Sequence, residues 1–281
     1  MKKAQFSTVA SFLIGVVCSI GPLALHAQAA GNTPFREGED FVYRIHWGAV
    51  TGGYSTLSVQ NIDYLEGRPA YHLVSEAHST GFVDTFYHVE DRNEAWLDTQ
   101  GPRSLRYEKK IREGKYRVHE VVTLDQTLHQ FHEKEYRLDK DTFEEKNGQI
   151  PPNVLDVLGS LYYMRSLPLE VGKSYTIDVH SGDKTWPLVV KVKKHERVKV
   201  KAGKFDCLLV EPELRDRGIF IAKGKKLEVW LTTDERHMPV KMRAEIFIGH
   251  VSAELVKLHT PEAPKADQPL AAAIRVPSFS F

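Results

Sequence analysis

The chain has 281 residues, of which 42% are hydrophobic and 27% charged, and its formal charge is +1. This is the composition of a globular protein with chain enough for one large domain or two small ones, and without the positive field that nucleic acid requires. Of its two cysteines, Cys18 lies in the leader, which leaves Cys207 without an intramolecular partner and reads it as a small buried residue.

The leader comes first. Lys2 and Lys3 precede an uncharged, mostly apolar run from Val9 to Leu25, and Ala27-Gln28-Ala29 supplies the small residues that signal peptidase reads. Residues 1–29 are therefore expected to be a cleaved signal peptide that delivers the protein to the periplasm. Loss of the two lysines lowers the formal charge from +1 to about −1. An uncleaved anchor fits less well, because Ser19, Gly21 and Pro22 interrupt the run and no basic stop-transfer flank follows it. A lipoprotein site at Cys18 is disfavoured by the bulky valines before it.

From Phe35 onward, period-two patterning dominates. In "FVYRIHW" Phe41, Tyr43, Ile45 and Trp47 share one face, and Val42, Arg44 and His46 share the other, as in a half-buried strand. Gly52-Gly53 is expected to turn the first hairpin, pairing the strand of Tyr43 and Trp47 with that of Leu57 and Val59. Comparable runs follow, among them "AYHLVSEA", "TFYHVED", "EAWLD", "YRVHEVVTL" and "HQFHEKEYRL", and later "SYTIDVH", "WPLVVKVKKHERVKV", "DCLLVEPEL", "KKLEVWLT", "VKMRAEIFI" and "VSAELVKL". About a dozen such segments separated by turn residues describe antiparallel meanders.

"PPNVLDVLGSLYYMRSLPLE" breaks the pattern. Val154, Leu158 and Leu161, with Leu155 and Tyr162, fall at helical spacing between Asn153, read as an N-cap, and Pro168. One helix is predicted over about 154–166. Beyond Leu258 the chain is rich in Pro and Ala, and residues 259–281 read as a flexible tail.

An internal repeat organises the segments. Gly38 in "REGEDFVYRI" aligns with Gly172 in "EVGKSYTIDV", Gly67 with Gly203, and Trp96 in "AWLDT" with Trp230 in "VWLTT", the outer anchors being equally far apart in both copies. The fold expected is mainly β, a large twisted antiparallel sheet curling into an open or partly closed barrel, with the helix packed at its concave side. It forms one domain over 30–258, made of two similar meanders (about 35–150 and 168–258).

No nucleophile elbow, HExxH, Walker sequence or dinucleotide fingerprint occurs. Gly52-Gly53 lacks the Lys and the following helix of a phosphate cradle. His129 and His132, with His119, Glu120 or Glu133, have the chemistry of a metal site, but residues three apart on a strand face opposite ways. Carboxylates such as Glu76, Asp84, Glu90 and Asp91 are indistinguishable from surface charge. The aromatics read either as core or as the wall of a lipophilic pocket. The candidate ligand-binding residues are Tyr43, Trp47, Phe86, Tyr162 and Trp230, with Arg165 as anchor for an anionic head group or as neutraliser of the helix C-terminus.

"REGEDFVYRIHWGAVTGGYSTLSV", "LDVLGSLYYMR", "PLEVGKSY", "VKAGKFDCLLVEP" and "VWLTTDERHMPVKM" together resemble the exported bacterial family known as domain of unknown function 3108, over about Phe35 to Leu258. The resemblance carries over Gly38, Glu39, Tyr43, Gly53, Asp156, Arg165, Gly172, Gly203, Trp230 and Pro239, and supplies no catalytic role for any of them. The expected architecture is similar to that of the lipoprotein carriers LolA and LolB and of the β-spiral envelope-integrity proteins, a likeness of fold alone. The expected function is a non-catalytic periplasmic cell-envelope protein that binds a lipid, a lipoprotein acyl chain or another amphipathic ligand. The alternatives are a scaffold module for an envelope protein or glycan, and an enzyme acting on an envelope polymer. No cofactor, metal or nucleic acid is expected, and no transmembrane segment once the signal is removed.

Overall fold

A computed structural model describes residues 33–214, 226–245 and 249–261. The expected signal peptide and nearly all of the expected tail lie outside the described residues. Fourteen strands form one sheet: β1 (Asp40–Trp47), β2 (Val50–Leu65), β3 (Arg68–Ser79), β4 (Glu90–Asp98), β5 (Ser104–Glu113), β6 (Tyr116–Asp125), β7 (Gln130–Arg137), β8 (Thr142–Gln149), β9 (Ser174–Ser181), β10 (Lys184–Val200), β11 (Gly203–Leu214), β12 (Leu227–Thr232), β13 (Pro239–Glu245) and β14 (His250–His259). Among the described residues two helices accompany them, α1 (Gly81–Asp84) and α2 (Val157–Arg165). The expected β class and antiparallel sheet are what the chain adopts.

The strand order runs from β8 down to β1, crosses to β14 and descends to β9. Each consecutive hairpin pairs with itself, and the two runs are stitched together only where β1 meets β14, with Asp40 opposite His259 and Trp47 opposite Val251. The order leaves β8 and β9 as its two ends, so the sheet curls without closing. The gap is laced by the segment that leads into α2. Leu155 bridges Val179 in parallel, donating to the Asp178 carbonyl at 3.0 Å and accepting from His180 at 2.7 Å. The Phe131 ring of β7 meets the His180 ring of β9 at 4.4 Å between centroids.

Alternation explains most strands, and the exceptions have physical causes. The first hairpin turns at Gly48-Ala49, and Gly52-Gly53 lies inside β2, where a bulge shifts the register between Ile45 and His46. The expected pairing of the two strands holds, but the expected position of the turn does not. Gly53 is needed because a Cβ there would fall on the His78 carbonyl oxygen of β3. "TFYHVED" is no single strand: α1 ends just before it, a turn and loop occupy Thr85 to His88, and only Glu90 and Asp91 enter β4. Strands β5 and β8 carry charge on both faces, which hid them from a hydrophobic pattern.

Candidate ligand cavity

The floor of the barrel is built by α2. Asp156, rather than Asn153, is its N-cap, accepting from the Gly159 amide at 2.8 Å. Asn153 instead adopts a left-handed conformation (φ 60) ahead of the helix. The Asp156 amide donates to the Ser104 hydroxyl of β5 at 2.8 Å, which fixes the start of the helix to the sheet. Burial pushes the Asp156 carboxyl up to about 6, against the hydrogen bonds from Ser104 and the Gly159 amide that favour its charge. At Gly159 an added Cβ would strike Ser104 Oγ and Asp156, so the helix lies as close to β5 as a glycine permits.

The far end of α2 is locked by Arg165. Its guanidinium pairs in bidentate fashion with Glu39 at 2.6 and 2.9 Å and donates to the carbonyls of Arg236 and Pro34 at 3.2 Å. The rings of Phe35, Phe41 and Tyr162 surround it at 5.2–5.5 Å. With the residue 1% exposed, this is a buried, saturated ion pair. Arg165 therefore does not stand ready as an anchor for an anionic head group.

Between α2 and the concave face lies a cavity of about 300 Å³. One wall is apolar but for Ser160, whose hydroxyl is spent on the Val157 carbonyl, and is formed by Leu158, Leu161 and Met164 of the helix with Leu188, Val229 and Met242 of β10, β12 and β13. The opposite wall is mixed: Leu57 beside Ser55, Ser75, Asn93 and Tyr107 of β2 to β5, with the Tyr107 hydroxyl donating to Asn93 Oδ1 at 2.9 Å. Burial, with the charges of Asp156 and Glu120 nearby, holds the Tyr107 phenol well above its usual range, so it stays a neutral donor. Towards the Trp47–Val50 hairpin, Gly53, Ala77 and Ala244 continue the inner face with small residues.

None of the six residues singled out in the sequence lines this cavity. Tyr43 is buried beside it, committed to the Pro239 carbonyl at 2.8 Å. Tyr162 is buried in the lock against Phe35, at 5.0 Å between centroids. Trp47, beyond the bulge and at the end of its strand, is 55% exposed rather than on the inner wall. Phe86 follows α1 in the β3–β4 loop, 78% exposed, against Phe82. Trp230 points to the outer face, since its neighbour Val229 lines the cavity; there it bonds Glu196 beneath Lys241 and Arg243. The residues missed, Ser55, Ser75, Asn93 and Tyr107, have only one sequence signal: small or polar side chains at the inward positions of otherwise apolar strands.

Other candidates have structural partners. His132 bonds Glu145, His119 bonds Glu108 at 2.9 Å, and His129 occupies a left-handed turn (φ 54), so the three do not converge. Glu76 pairs with Arg92, Glu90 with Arg112 and Asp84 with His88. Cys207 is buried and its thiol pushed up to about 12 by burial, which leaves it inert.

The sequence profile of a family described as "Protein of unknown function (DUF3108)" matches residues 42–256. No curated protein matches the sequence. Among solved structures, a beta-barrel-like protein of domain of unknown function DUF1849 from Brucella abortus superposes with a TM-score of 0.55 at 12% identity, over 80% of this chain and 98% of that one. A Bacteroides fragilis protein with a YmcC-like fold, described as exported, gives a TM-score of 0.36 at 9% identity, over 81% and 98% of the two chains. A Parabacteroides distasonis protein described as a lipoprotein gives 0.35 at 11%, over 81% and 98%. The first of these likenesses establishes a shared barrel-like fold. Among the described residues no helix is long and apolar enough to cross a membrane.

Proposed function

The chain belongs to the DUF3108 family, a family of unknown function, and from its geometry we propose that it is a non-catalytic periplasmic protein of the cell envelope that holds an amphipathic ligand in its interior. The observation that carries the reading is the cavity of about 300 Å³, apolar on the helix side and lined by Ser55, Ser75, Asn93 and Tyr107 on the other. That volume is at the low end for ligand sites, which favours one acyl chain over a diacyl lipid. The leader read in the sequence supports the compartment.

Native mass spectrometry of the mature protein purified from its own periplasm tests the reading, beside the cavity-filling variants Ser75→Phe and Ser55→Phe. A copurified amphiphile that the fillers exclude is the expected result. A protein that emerges without ligand and shows no saturable binding of single-chain amphiphiles would sink it. The free edge of β8 supports the second reading, docking of an envelope partner strand, although its exposed Glu144 and Glu145 are the charges that keep edges from pairing.

We also propose that the domain, residues 30–258, contains two copies of one meander, about 35–150 and 168–258. In support, the Gly38 amide donates to the Val59 carbonyl and the Gly172 amide to that of Val192, each at 2.8 Å and with φ of +83 and +86 at the glycine. Trp96 and Trp230 each give their indole N–H to a carboxylate, Asp63 and Glu196, beneath an arginine, Arg106 and Arg243. Superposing the backbone from Gly38 to Thr99 on that from Gly172 to Thr233 checks the proposal, and failure to bring Trp96 onto Trp230 refutes it.

A further inference from the structure

The polar wall of the cavity continues into charge. Asn93 pairs across strands with Lys109, Lys109 with Glu120, and Glu120 with Glu135, while Tyr107 pairs with Val122 and Val122 with Glu133. Residues directly opposite in a ladder share a face, so all of these ionisable side chains stand on the same concave surface as the cavity-lining Asn93 and Tyr107. Glu120 stands on the strand next to that of Tyr107, and Glu133 two strands from it, a distance of about 10 Å.

Glu120, Glu133 and Glu135 each offer an oxygen within 4.8 Å of the others. Glu133 is 1% exposed and Glu120 3%. Glu133 Oε2 and Glu120 Oε1 nevertheless have no hydrogen-bond donor among the described residues. Two lysines answer three carboxylates. Lys109 holds Glu120 Oε2 at 2.5 Å, and Lys146 is divided between Glu133 at 3.6 Å and Glu144 at 3.3 Å. With its three carboxyls ionised the group is thus short of one positive charge and of donors for two buried oxygens, a deficit that costs free energy unless something fills it. Burial, together with the charge of Glu120, raises the Glu133 carboxyl above its ordinary range accordingly.

We propose that this cluster is the head-group subsite of the cavity and takes the protonated amine of a single-chain amphiphile, the chain lying against α2. An ammonium supplies the missing charge together with N–H donors for Glu133 Oε2 and Glu120 Oε1. A divalent cation fits less well, because the deficit is of one charge only and the bare oxygens lack N–H donors, which a metal ion does not supply. The proposal rests on the ligand-cavity reading and deepens it.

Titration of the delipidated mature protein at pH 7 with decylamine, decanoate and decanol, each below its micelle concentration, tests it by calorimetry. Decylamine is expected to bind at least tenfold more tightly than decanol or decanoate, and Glu133→Gln to reduce that preference below threefold. An unchanged decanol affinity in the variant reports that the fold and the chain site are intact. Equal affinities for amine and alcohol in the wild type overturn the subsite and leave the cavity reading standing. Failure of all three to bind overturns both. Calcium binding that Glu133→Gln abolishes, with no preference for the amine, also overturns the proposal, making the cluster a metal site.

Discussion

Gly53 has no room for a methyl group: its added Cβ would fall on the His78 carbonyl oxygen, whereas at Gly52 the nearest atom is 3.9 Å away. Backbone does not move aside as a side chain does. Gly53→Ala is therefore expected to destabilise the protein by about 1–3 kcal/mol, and Gly52→Ala to stay within about 0.5 kcal/mol of wild type. Urea midpoints for the two variants decide this, and equal midpoints would mean that the strand pair yields at the bulge. The same contrast governs what single residues reveal in the sequence. Positions carried over from the family resemblance turn out to have scaffold jobs, Glu39 on Arg165, Tyr43 on Pro239, Asp156 capping α2, and Gly38 and Gly172 at positive φ. Those jobs demand particular side chains and so leave a motif. The cavity asks only that Ser55 and Ser75 be small and that Asn93 and Tyr107 bond each other, which leaves none.

At the scale of elements, α2 is held at both ends, by Ser104 at its start and by Glu39 at Arg165. Removing one partner of a buried, saturated ion pair strands the other, so Arg165→Met and Glu39→Gln are each expected to cost about 3–5 kcal/mol. Replacing both by apolar residues should cost far less than the sum. A double-mutant cycle on unfolding free energies measures the coupling, and additive losses would show that the two groups act apart. The helix was legible from its spacing and from Pro168, but its cap was misplaced: Asn153 takes a left-handed conformation that leads the chain to the sheet, and Asp156, tied there through Ser104, is the residue that caps the helix. Strands β5 and β8 were illegible for a related reason. Their charges are satisfied across strands, Lys109 by Glu120 and Lys146 by Glu133, in pairs that exist only in the assembled ladder.

At the scale of the whole molecule, the seam between the ends of the sheet carries a titratable group. His180 lies buried against Phe131, its Nδ1 3.0 Å from the Thr185 hydroxyl, and burial lowers its pKa to about 4 from an ordinary 6.5, against a hydrogen bond with the Gly182 backbone and the charge of Asp183. The folded state thus binds fewer protons than the unfolded one in that window. This contribution to stability is complete above 6.5 and is lost as pH falls towards 4, on the order of 3 kcal/mol. Asp156, raised to about 6, acts in the opposite sense and is common to wild type and variant. Comparing wild type with His180→Gln at pH 7 and pH 4.5 isolates the effect: the variant should lose less stability on acidification, and parallel losses would remove His180 from the account. The junction of β1 with β14 has another consequence, for the order in which the chain is threaded. Every other neighbouring pair of strands is consecutive in sequence, whereas Asp40 faces His259. Each run of hairpins can zip up locally, but the two must wait for the last strand before they join, so one long-range closure governs the rate of folding. A circular permutant with Asp40 linked to His259 and new termini at Glu170 would convert that closure into one more hairpin, turning the entire sheet into a single uninterrupted meander.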